Sequence, residues 1–212
     1  MFEVEYKGAN AVVLSTKNTT AIFDPKLSIV GLKDLSVKNV VEIATEDRFA
    51  IRSEDARLVI EGPGDYEIGD FSIKGLSAVR HIDAEEAEKI ATMYRVEVAD
   101  ISVAVLGNVS AKMNEDQLEG LGVVDILVIP IGGGGYTLDA TSATTIVRQI
   151  EPKVVIPVHY SDDAIRYEVP QDSLETFTKE LGAPVETMAK YKVKSAAALP
   201  AALTVVELAR TA

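Results

Sequence analysis

The chain has 212 residues, 47% of them hydrophobic and 25% charged, enough apolar material for a packed core of layered α/β type. Its formal net charge of -12, with lysines and arginines scattered, opposes phosphate backbones and argues against a nucleic-acid partner. It contains no cysteine, which excludes disulfides, thiol nucleophiles and cysteine-type zinc sites, and it has only two histidines, His81 and His159.

Residues 2–6 alternate apolar and polar as a half-buried strand does, and the sequence there does not read as a signal peptide. No apolar run reaches the ~20 residues of a membrane span, so a cytoplasmic location without membrane partners is expected. Residues 7–10 turn the chain and residues 11–14 return it. Further strands are predicted at 20–23, 37–44 and 58–60. Gly62-Pro63-Gly64 is a hard turn, and residues 66–73 read as a hairpin pivoting near Gly69 and Asp70. An acidic loop follows His81 at 83–89. Residues 84–96 fit either a helix or a helical turn followed by a strand; alternation of Tyr94, Val96 and Val98 favours a strand over 92–98, paired with 101–106. Asn114 is placed to cap a short helix that ends at Gly120 or Gly122.

Residues 124–131 form a nearly continuous β-branched run, the pattern of a strand buried on both faces. Four glycines follow, Gly132 to Gly135. Thr137 or Asp139 then caps a helix carrying Ile146, Val147 and Ile150, which Glu151-Pro152 stops. A second buried strand, 153–158, ends on His159 and Tyr160. This is a βαβ unit with parallel strands, and in open α/β sheets sites gather at the C-terminal strand edges. A helix over 170–181 and strands at 185–188, 191–193 and 203–208 close one domain, residues 1–212. Strands dominate the first half and helices the second, which suggests two packed sheets with helices outside.

Five segments carry a family resemblance: GANAVVL at 8–14, TAIFDP at 20–25, EGPGDYEI at 61–68, LGNVS at 106–110, and PIGGGGYTLD at 130–139 with VVIPVHY at 154–160. In order and spacing the chain resembles metallo-β-lactamase-fold hydrolases, in particular the compact branch similar to ascorbate-6-phosphate lactonase. The resemblance implies a four-layer αββα sandwich of α/β (α+β) class, with its site at one edge of the two sheets. Active members hold two metals with an H-x-H-x-D-H loop after the fourth strand. By position, Thr45 and Asp47 replace the first two histidines here, Phe49 the aspartate and Ala50 the last histidine. Asn108 stands where the metal-bridging aspartate is implied, and a neutral amide lacks the charge that holds two cations. His81 and His159 match the two surviving ligand positions.

The expectation is a degenerate hydrolase-like protein, a pseudoenzyme that lacks the two-metal centre and serves as a binding or scaffolding domain for a small molecule or protein. The alternative is a weak or single-metal hydrolase of a small phosphorylated or lactone-type substrate, with zinc or manganese at a residual site on His81 and His159 that Asp47 would complete. Asp24, Asp47, Asn108, Gly133, Tyr136 and Asp139 are the pocket candidates. Resemblance further implies a homo-oligomer. A third reading gives Gly132–Gly135 a small anion to bind through backbone N–H groups, although the loop lacks the lysine and spacing of a P-loop.

Overall fold

The structure, a computed structural model, describes residues 1–81 and 90–211. The expected acidic loop at 83–89 lies outside them. The elements run β1 (Phe2–Gly8), β2 (Ala11–Ser15), β3 (Thr20–Phe23), β4 (Val41–Ile43), β5 (Leu58–Ile60), β6 (Gly64–Ile68), β7 (Phe71–Val79), β8 (Ile90–Val98), β9 (Ile101–Val105), α1 (Glu115–Leu121), β10 (Ile126–Pro130), α2 (Ala140–Ile150), β11 (Val154–Val158), α3 (Leu174–Leu181), β12 (Val185–Met188), β13 (Tyr191–Val193) and β14 (Thr204–Leu208). They build a six-stranded sheet, ordered β13-β1-β2-β3-β4-β5, and an eight-stranded sheet, ordered β12-β14-β11-β10-β9-β8-β7-β6.

Two patterns of hydrophobicity place these strands. In β1, Phe2, Val4 and Tyr6 are buried while Glu3, Glu5 and Lys7 are half-buried, so one face points to the core. In β9, β10 and β11 every residue is buried, because the eight-stranded sheet is covered on both faces. Its inner face meets the six-stranded sheet through Phe23, Ile43, Tyr94, Val128 and Ile156. Its outer face packs on the helices through Leu127, Ile129, Ile146, Val147 and Phe177. Over the six-stranded sheet the outer layer consists of 3-10 turns and loops, with Leu27 against Ala9 and Ala11, and Val37 against Val13 and Ile22.

The βαβ unit forms as expected: β10 and β11 are parallel and in register from Ile126↔Val154 to Pro130↔Val158. Two predicted elements are shorter than the sequence suggests. The strand expected at 37–44 is reduced to Val41–Ile43, because Asn39 turns the backbone at φ 57 and Val37 joins a separate cluster. The helix expected from 170 begins at Leu174 after Ser173, leaving Pro170 and Gln171 outside it, with the Gln171 side chain on His159. Residues 90–98 are strand and not helix, pairing with β7 and β9. The two sheets bring the C-terminal ends of β3, β4, β9, β10 and β11 to a common edge, with the end of β7 beside them.

Candidate functional site

At that edge the loop after β4 is pinned from below. Asp24, at the end of β3, is 2% exposed and accepts hydrogen bonds from Thr45 N and Thr45 Oγ1, both at 2.7 Å. Burial pushes its carboxyl up to about 7, against the opposing pull of the two Thr45 bonds. Gly107 packs so closely on Thr45 that a Cβ there would lie 2.6 Å from the threonine side chain, and its φ of +63 suits glycine. Thr45 thus serves as a clamp between the sheets.

The next residue, Glu46, is 5% exposed and collects the charges around it. Asn108 Nδ2 donates to its Oε1 at 2.8 Å. Arg48 Nε lies 3.0 Å from Oε2, and Arg80 Nη1 lies 3.3 Å from the same oxygen. These partners come from the β4 loop, the end of β7 and the loop after β9. Above them lies an open groove of about 410 Å³, whose walls include Asp47, Glu61 and Thr92.

The sequence-derived candidates separate in space. Asp47 ion-pairs with Arg52, which also holds Glu61 at 2.8 Å. His81 Nδ1 is 3.0 Å from Gly135 O. His159 is 7% exposed, at φ 51, and its Nδ1 is 3.1 Å from Gln171 Oε1. The expected His81–Asp47–His159 set therefore does not assemble: each member is claimed by a different neighbour. Tyr136 and His159 line a cavity of about 150 Å³. Asp139 caps α2, accepting from Ser142 N at 2.7 Å, and Gly133 packs against it. That carboxylate occupies the helix end where an anion was considered, and the glycine loop bonds within itself, Gly133 N to Leu138 O at 3.0 Å.

For a metal centre the donor set decides. Among the described residues no group of three or more His, Cys, Asp or Glu side chains converges. Glu46 is held by two guanidinium groups and an amide, and the neighbouring Asp24 carboxylate is held by Thr45. Phe49 and Ala50 carry no donor atoms. The described residues do not fit a two-metal site.

A sequence model for the family described as "Beta-lactamase superfamily domain" matches residues 3–159. The chain belongs to this family. Among solved structures it resembles a candidate zinc-dependent hydrolase of the metallo-β-lactamase superfamily from Thermotoga maritima, at 19% identity and TM-score 0.76, covering 99% of this chain and 100% of that one. It also resembles a metallo-hydrolase from the archaeon Ignicoccus hospitalis, at 16% identity and TM-score 0.65, covering 91% and 99%. A diiron β-hydroxylase from Streptomyces venezuelae matches at 15% identity and TM-score 0.53, over 74% of this chain and 44% of that one. No curated protein matches. At these identities the likeness establishes the metallo-β-lactamase fold.

The Glu46 cluster lies at the strand edge to which the sequence points, but its central residues were not anticipated. Glu46, Arg48 and Arg80 gave no spacing signal, since Glu46 meets Arg80 and Asn108 across 34 and 62 residues of chain. Gln171 and Tyr167 were also missed. Gln171 lies before the helix start at Leu174, where its side chain meets His159.

Proposed function

We propose that this chain is a binding or scaffolding member of the metallo-β-lactamase superfamily, a single domain in which an ion-pair cluster stands where active relatives keep two metals. The observation that carries the reading is Glu46, buried and bonded at once to Arg48, Arg80 and Asn108. A buried carboxylate with two such partners is already neutralised, and removing them to admit a cation costs several kcal/mol. The chain then keeps the sandwich and its pockets without two-metal hydrolysis. Cytoplasmic location and self-association into a homo-oligomer, with no nucleic-acid or membrane partner, belong to the same proposal.

The test is metal content. Untagged protein, loaded with zinc or manganese and desalted, is expected to hold close to no metal per chain by mass spectrometry. One or more per chain would overturn the reading.

A second reading, a single-metal hydrolase of a small phosphorylated or lactone-type substrate, draws on one observation. Both histidines use Nδ1 toward an oxygen, Gly135 O or Gln171 Oε1, which is how histidines that ligate metal through Nε2 are oriented. One zinc per chain, lost together in His81→Ala and His159→Ala, is its signature.

A further inference from the structure

The cavity of about 150 Å³ beside the ion-pair cluster has walls of Val30, Phe49, Tyr167 and Val169, with His159, Gln171, Tyr136, Arg48 and Glu168 as polar members. Its volume matches cavities that accept a benzene-sized guest. The His159 and Tyr167 rings lie 4.7 Å apart, so the imidazole is part of an aromatic wall.

The protonation of that imidazole follows from its neighbours. Gln171 Nε2 donates to Val169 O at 3.0 Å, which turns the amide so that Oε1 faces His159. An amide oxygen only accepts, so His159 Nδ1 carries the hydrogen. In the neutral ring Nε2 then holds a lone pair, and it is the nitrogen left for a guest. The ring is only 7% exposed, and burial disfavours its charged form. An acceptor of this kind needs a donor. Its lone pair repels the oxygens of a carboxylate, and the opposite charges of Arg48, itself paired with Glu46, and Glu168 leave no net charge in the lining for an ionic guest to match.

We propose that this cavity binds a neutral, ring-sized phenol or alcohol, its hydroxyl donating to Nε2 of His159 and its ring lying against Val30, Phe49 and Tyr167. Gln171 acts as the positioning residue that fixes the tautomer. The proposal deepens the metal-free reading and rests on it, because zinc on His159 would take the same nitrogen.

The probes are phenol, anisole and benzoate, titrated into the full chain in EDTA and followed by ¹⁵N-resolved NMR of the histidine rings. Phenol is expected to bind and to shift the His159 Nε2 resonance. Anisole, with the same ring and no donor, should bind at least about tenfold more weakly, the worth of one buried hydrogen bond. Benzoate should not bind at pH 7. Gln171→Leu should weaken phenol more than anisole and so narrow the gap between them; melting of the variant shows that it is folded. Val169→Phe, which fills the cavity from another wall, should abolish phenol binding. Equal binding of phenol and anisole, or no phenol binding at all, overturns the proposal. The two readings fail separately. Phenol binding in EDTA with one zinc per chain after loading supports the cavity and overturns the metal-free reading; no phenol binding with metal content near zero overturns the cavity alone.

Discussion

Asp24 and His159 occupy matching positions, each buried at the end of a strand and each at φ 51, a backbone region that aspartate and histidine enter more readily than most residues. Burial shifts them in opposite directions, Asp24 up to about 7 and His159 down to about 4. The consequences for stability also oppose. From its ordinary 3.8 up to about 7, folded Asp24 keeps a proton that the unfolded chain releases, so its contribution falls as pH rises through that window. Between 6.5 and about 4, unfolded His159 takes up a proton that the folded ring refuses, so its contribution is complete above 6.5 and is lost as pH falls. Each effect is on the order of a few kcal/mol. Where the windows overlap the wild-type profile should be nearly flat. Asp24→Asn should then become less stable as acid is added, and His159→Asn more stable, over pH 6.5 to 4.5. Denaturant melts across that range check both slopes; parallel curves for the two variants contradict the assignment.

At the scale of elements, the loop after β4 is held by Asp24 through Thr45 and by Glu46 through the facing sheet. Glu46→Ala deprives Arg48, Arg80 and Asn108 of one carboxylate and should cost about 3 kcal/mol or more in urea unfolding. A double-mutant cycle with Asn108→Ala should show coupling, because the two side chains are in direct contact. Gly107→Ala should cost a similar amount, since its Cβ would meet Thr45 at 2.6 Å and its φ is +63. Asp139→Ala should cost only about 1 kcal/mol, the worth of one helix cap. These elements differ in how legibly the sequence announces them. The caps at Asp139 and Asn114 are local, so residue type and spacing narrow the choice to Thr137 or Asp139 for one and to Asn114 for the other. The strand at Val41–Ile43 was overestimated because local propensity cannot see Asn39 turn under the sheet. The Glu46 cluster was invisible because its partners are fixed by how the sheets pack.

For the whole molecule, the apolar layer between the sheets made the fold readable. The runs in β9 to β11 can be buried on both faces only inside a covered sheet, and the alternation in β1 fits a sheet open on one side. The common edge where β9, β10 and β11 end was readable for the same topological reason. The side chains gathered there were not, since a sequence without an H-x-H-x-D-H pattern does not say what stands at those positions. On the metal-free reading proposed above, a centre built of side chains has a different history in the cell from one built on ions: it is complete when the strand ends meet, needs nothing delivered, and competes with no other protein for zinc. Refolding yield and rate should be the same in EDTA as in micromolar zinc, and protein made in zinc-starved cells should melt at the same temperature as protein made in rich medium.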